Sequence, residues 1–139
     1  MVGDFGWTFN MTLPHMNFDG INYYVGNLTA NGGKIDFMMT MGDNMYLANE
    51  THPTDEDVDT VMALFNKTHI KDLKIWAIRG NHDCLTVDPY FEVNITKRYP
   101  NWQMPSLYYP KLFDIGNGKK FGALFVDTCL ALCSTYSYA

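Results

Sequence analysis

Three glycine-acid turns, each placed after an apolar run, constrain this chain more than any other feature. The central one is Met41-Gly42-Asp43-Asn44-Met45-Tyr46, which follows Ile35-Asp36-Phe37-Met38-Met39-Thr40. The run reads as a buried strand. A strand that stops on Gly-Asp delivers a carboxylate at its C-terminal end, which is where open α/β sheets bind ligands. Val2-Gly3-Asp4-Phe5-Gly6 repeats the form upstream, and Ile78-Arg79-Gly80-Asn81-His82-Asp83 repeats it after the apolar run Leu73 to Ile78. Asp4, Asp43, Tyr46, Asn81 and His82 are hard-to-borderline ligands, of the kind that suit iron, manganese, zinc or magnesium.

The chain has 139 residues, enough for one domain with a real core, and no repeat or linker divides it, so residues 1–139 read as a single domain. Its net charge is −5 and Lys and Arg do not cluster, which argues against nucleic acid as a partner. An acidic chain that handles phosphate esters needs bound cations to attract them. No apolar run approaches the ~20 residues of a membrane span.

Five N-x-[ST] sequons begin at Asn10, Asn27, Asn49, Asn66 and Asn94. They point to a secreted glycoprotein carrying N-glycans, against the plainer reading that an Asn- and Thr-rich chain produces sequons by accident. No signal segment follows Met1, and Val2 alone precedes the first turn where a strand is expected. Both features predict that the given sequence starts downstream of the true start. Cys84, Cys129 and Cys133 are an odd set. Cys129 and Cys133 either bridge or lie on a helix as core residues, with core placement expected for at least one.

Secondary structure follows from spacing and punctuation. Phe9 to Phe18, with Pro14 and several Asn, reads as a loop. Ile21 to Leu28 reads as a helix with Ile21, Tyr24, Val25 and Leu28 on one face, stopped by Asn31-Gly32-Gly33. Thr54 caps a second helix whose stripe is Val58, Val61, Met62 and Phe65. A short helix is expected from Pro89 to Lys97. Leu107 to Phe113 and Lys120 to Val126 form a hairpin about Asn117-Gly118. Alternation of strand, turn and helix predicts βαβ crossovers and an α/β class.

A two-metal hydrolase needs an anionic ligand shared between cations ~3.5–4 Å apart. Asp43 is the best candidate bridge because its turn is central. Asp4 and Tyr46 complete one side of the first metal, Asn81 serves the second, and His82 bonds the phosphate and protonates the leaving group. Asp83 is placed to orient that imidazole. His15, His52 and His69 lack such context and read as surface residues.

The motifs GD-x-G, GDN-x-Y and GNHD, at separations of 39 and 38 residues, resemble those of the calcineurin-like metallophosphoesterases. Tyr46 narrows the resemblance to the purple acid phosphatases. Lys97-Arg98-Tyr99, Pro105-Ser106-Leu107-Tyr108-Tyr109 and Asp127-Thr128 are similar to the small, tartrate-resistant type. The resemblance implies a four-layer sandwich, two mixed β-sheets flanked by helices, and hydrolysis of phosphomonoesters at acidic pH by a metal-bound hydroxide. It implies Fe(III) on Asp4 and Tyr46, with Asp43 bridging to a divalent iron, zinc or manganese on Asn81, and His82 on the substrate. It also implies a secreted, extracellular or vacuolar glycoprotein.

Three further histidine ligands belong to that pattern, and no His follows His82. The chain thus resembles the N-terminal half of the catalytic domain, with four of seven ligands. Either it is part of a longer enzyme, or it is a remnant used as a secreted structural or assembly module. Half a sandwich leaves sheet edges open, so a C-terminal half or a partner chain is expected to cover them.

Overall fold

A computed structural model of the chain describes residues 1–7, 10–46 and 52–129. Three short parallel strands, β1 (Phe37–Met39), β2 (Lys74–Trp76) and β3 (Trp102–Gln103), form a sheet in the order β1-β2-β3. Phe37 pairs with Lys74, and Ile75 with Trp102. Val2 adds a parallel bridge to Thr40, with its N–H donating to Met39 O at 2.9 Å and its carbonyl accepting from Met41 N at 2.8 Å. The single strand-like residue before the first turn is therefore seated beside β1.

The second sheet is the expected hairpin, β4 (Tyr108–Asp114) and β5 (Lys120–Val126), paired antiparallel from Tyr108↔Val126 to Asp114↔Lys120. Asn117 and Gly118 both take positive φ, 53° and 69°, as a tight hairpin turn requires. The inward residues Tyr109, Phe113 and Phe125 lie on the parallel sheet. Phe113 stacks on Phe37 at 3.9 Å and meets Trp76 edge-on at 5.6 Å. The Tyr109 hydroxyl donates to Ala77 O at 2.6 Å.

Helix α1 spans Thr12–Ala30, so the loop expected over Phe9 to Phe18 is corrected from Thr12 onward; Phe9 itself lies outside the described residues. Pro14 falls in the first turn, where its missing N–H has no intrahelical partner to lose. The Thr12 N–H is taken by Asn10 Oδ1 at 3.2 Å. Pro14 and Phe18 are buried, and Ile21 and Val25 continue their stripe against the core. Tyr24 and Leu28, expected on that stripe, stand 73% and 42% exposed. Gly32 at φ 81° ends the helix, and the Gly33 N–H returns to Leu28 O.

Helix α2 (Asp55–Met62) starts in a capping box: Thr54 Oγ1 accepts from Asp57 N, and the Asp57 carboxylate accepts from Thr54 N. A single 3₁₀ turn, Ala63–Phe65, continues it. Val58, Val61, Leu64 and Phe65 are buried, and Phe65 meets Phe5 and Phe18 edge-on. Helix α3 is short, Phe91–Ile95.

The cysteine expectation is also corrected. Cys84 and Cys129 form a disulfide, with Cα atoms 5.4 Å apart. Cys129 therefore does not bridge to Cys133, but it is wholly buried, as core placement of at least one of the two requires, and Cys133 lies outside the described residues. Among the described residues no helix is long and apolar enough to cross a membrane.

Candidate metal centre

Strand pairing brings the three glycine-acid turns to one end of the parallel sheet. The Asp4 N–H donates to Gly42 O at 3.2 Å, and the Thr40 N–H to Trp76 O at 2.9 Å. Asp4 and Asp43 both adopt left-handed backbone, at φ 55° and 48°, a region Asp tolerates better than most residues. The second and third turns touch through their glycines. A Cβ on Gly42 would lie 2.6 Å from Gly80 Cα, and one on Gly80 would lie 2.2 Å from Asp43 N.

The side chains of Asp4, Asp43 and Tyr46 converge. The Tyr46 hydroxyl is 2.8 Å from Asp4 Oδ1 and 2.8 Å from Asp43 Oδ2, and shares its proton between them. Burial first, then these two bonds and the carboxylate charges, hold the phenol far above its ordinary pKa. The ring lies between Trp7, at 5.0 Å, and His82, at 4.4 Å between centroids. The His82 N–H donates to Asp43 Oδ1 at 3.0 Å. Asp43 therefore engages Tyr46 with one oxygen and the third turn with the other. Asn81 is exposed on that turn, directly before the half-buried His82. Two carboxylates about one phenol form a hard oxygen donor set, which fits a small, highly charged cation.

The sequence matches the family of calcineurin-like phosphoesterases over residues 2–132. The chain belongs to that family. Its curated relatives include tartrate-resistant acid phosphatase type 5 of Rattus norvegicus, 26% identical over 70% of this chain and 30% of the relative. The Mus musculus protein of that name is 27% identical over the same shares. The Sus scrofa protein is 26% identical over 95% of this chain and 38% of the relative. The chain spans about a third of the length of these relatives.

Beneath the phosphoesterase turns lies a buried polar layer that sequence reading missed. Asp83, expected to orient His82, directs its carboxylate to backbone: it accepts from Gly80 N at 2.7 Å and from Asn44 N and Met45 N at 3.0 Å each. Asn44 Nδ2 donates to Ile78 O at 2.7 Å and to Glu92 Oε2 at 2.8 Å. Asp83, Asn44 and Glu92 are each at most 2% exposed. Burial pushes the Asp83 carboxyl up against the opposing pull of its backbone donors. Burial and the neighbouring Asp83 charge push Glu92 up further, and the Glu92 carboxyl hydrogen-bonds Asp83.

A second buried pair fastens the hairpin to the third turn. Arg79 Nε and Nη2 reach Asp127 Oδ2 at 2.8 and 2.7 Å, and the other Asp127 oxygen accepts from Cys129 N at 2.7 Å. Cys84, Asp127 and Cys129 form a compact cluster of potential metal donors, but the two sulfurs are bonded to each other. Of the sequon asparagines, Asn10, Asn27, Asn66 and Asn94 are exposed and Asn49 lies outside the described residues. His15 is half-buried, and His52 and His69 are exposed.

Proposed function

We infer that the protein is a dinuclear-metal acid phosphatase that hydrolyses phosphomonoesters. The observation that carries this reading is the Tyr46 hydroxyl held at 2.8 Å from both Asp4 and Asp43. In this reading Asp4, Tyr46 and Asp43 hold Fe(III), and Asp43 and Asn81 hold a divalent iron, zinc or manganese. Such a pair supplies charge to bind phosphate and acidifies water to a nucleophile. These 139 residues hold four of the seven ligands that the resemblance implies, and the activity proposed is that of a protein carrying all seven.

The chain's own residues divide the remaining work. Tyr46, with Asp4 and Asp43, would hold the first cation, as a phenolate whose proton would pass to solvent. His82, anchored at its N–H by Asp43, presents its imidazole to the phosphoryl oxygens and protonates the leaving oxygen. Asp83 fixes the backbone on which Asn81 and His82 ride. A secreted, extracellular or vacuolar glycoprotein is supported by the exposed sequon asparagines and by the Cys84–Cys129 disulfide, which an oxidising compartment preserves.

The test is metal content and turnover of an aryl phosphate by the full-length protein. Stoichiometric iron, a tyrosinate absorption band lost in Tyr46→Phe, and no turnover in Asp43→Asn are expected. Full activity in Asp43→Asn would sink the assignment.

A second reading has its own support. The outer face of the hairpin is apolar and open: Tyr108, Leu112, Leu124 and Val126 are 42% to 72% exposed. A scaffold kept as a secreted structural or assembly module would use such a face for contact. It predicts no bound metal, and stoichiometric iron with turnover rules it out.

A further inference from the structure

The geometry points to Glu92 as a positioning residue of the metal centre, acting on the second and third turns through Asn44 and Asp83. This rests on the phosphatase reading for its consequence, though not for its geometry. Glu92 lies in α3, ten residues beyond His82 and outside every glycine-acid turn. It reaches the turns through hydrogen bonds. One carboxyl oxygen takes the Asn44 Nδ2 hydrogen at 2.8 Å, and the carboxyl also bonds Asp83. The same Asn44 nitrogen bonds Ile78 O, so its amide spans from α3 to the approach of the third turn.

The consequence follows from what the two partners hold. Asp83 collects three backbone N–H groups, from Gly80, Asn44 and Met45. Gly80 precedes Asn81, and Asn44 and Met45 lie between Asp43 and Tyr46. The second and third turns are thus gripped one peptide away from their ligands. Asp83 makes this grip with both oxygens in a buried site, beside the Glu92 carboxyl. Glu92 holds the Asn44 side chain by a direct hydrogen bond and so braces the second turn from α3. The Trp102 indole N–H donates to Glu92 O at 3.1 Å and Trp102 is wholly buried, so the anchor itself is rigid. A buried network of this kind is worth more than its separate pairs.

The experiment compares Glu92→Met, which fills the space without hydrogen bonding, with Glu92→Gln. Glutamine can accept from Asn44 with its oxygen and donate to Asp83 with its nitrogen, so it can keep both contacts of the carboxyl. Amide exchange of the full-length apoprotein is the first readout. In Glu92→Met the amides of Gly80, Asn44 and Met45 are expected to exchange at least tenfold faster, with Ile75 and Ala77 unchanged. Mn²⁺ titration of the apoprotein should show affinity reduced at least tenfold, and turnover should show kcat falling more than KM rises. Glu92→Gln should restore all three within about threefold.

Unchanged exchange at those three amides in Glu92→Met overturns the proposal, as does a Glu92→Gln variant as impaired as Glu92→Met. Uniform loss of protection that includes Ile75 and Ala77 also overturns it, because Glu92 would then serve the core alone. Should Glu92→Met fail to fold, Asn44→Ala removes the same contact from the other side, and the same three amides decide. If the parent protein binds no Mn²⁺ and turns over no phosphate, the phosphatase reading fails while amide exchange still decides the positioning role.

Discussion

Replacing Gly80 by alanine places a methyl group between the second and third turns, and its cost can be read from the approach they make. The new Cβ would sit 2.2 Å from both Asp43 N and Asp43 Oδ1, where ordinary contact begins at 3.4 Å. The clash is with backbone as well as side chain, so no rotamer change relieves it, and the turns must part by about 1 Å. The His82 N–H to Asp43 Oδ1 bond, now 3.0 Å, would lengthen beyond bonding distance. Overpacking of this kind costs about 1–3 kcal/mol of stability. Its effect on the site should be larger, because a shift of about 1 Å exceeds the ~0.2 Å spread of ordinary metal–ligand distances. The expected result is a folded variant with a slightly lowered melting point, second-metal affinity reduced at least ~100-fold, and turnover reduced in proportion. Metal titration of the apoprotein beside a thermal melt separates the two effects. A Gly80→Ala protein that binds both cations with parental affinity would refute the claim that contact between the glycines builds the site.

Other consequences are open to direct measurement. Cys84→Ser should lose on the order of 4 kcal/mol, the loop-closure value for partners 45 residues apart, and denaturant melts with and without reductant check it. Arg79→Ala leaves the Asp127 carboxylate buried without its cation and should cost about 3–5 kcal/mol by the same melts. Because Glu92 and Asp83 are both raised in the folded protein, their contribution to stability is complete below the ordinary carboxyl range of about 4 and is lost as pH rises through their folded values. The apoprotein's melting temperature should therefore fall as pH is raised from that range through their folded values, and Glu92→Gln should flatten the slope. A slope that is unchanged in Glu92→Gln would place the titration elsewhere.

How legible the molecule was depended on how local each determinant is. The hairpin was readable because Asn117-Gly118 states its own turn type, and α2 because Thr54 and Asp57 cap it from within four residues. The first half of α1 was not, because Pro14 and its Asn neighbours read as loop until their place in the first turn is known. Strand ends marked Asp4, Asp43 and Tyr46 as a group, and the fold brings them into contact. The buried layer beneath them was illegible for a different reason. Asp83, Asn44 and Glu92 are polar residues joined by bonds that include spans of 38, 39 and 48 positions, and nothing in their neighbours foretells burial. The Cys84–Cys129 pairing is of the same class, since connectivity is a property of the fold rather than of spacing.

The disulfide has a kinetic meaning as well. The β4–β5 hairpin is built from neighbouring sequence and can form in microseconds, whereas β1 meets β2 across more than thirty residues and must close a long loop first. Cys84 belongs to the slow unit and Cys129 to the end of the fast one. On this order the native pairing of their thiols is expected to follow docking of the hairpin on the parallel sheet. Oxidation of this pair is therefore a timestamp on assembly: a chain trapped by alkylation during refolding reports, molecule by molecule, whether docking had already occurred.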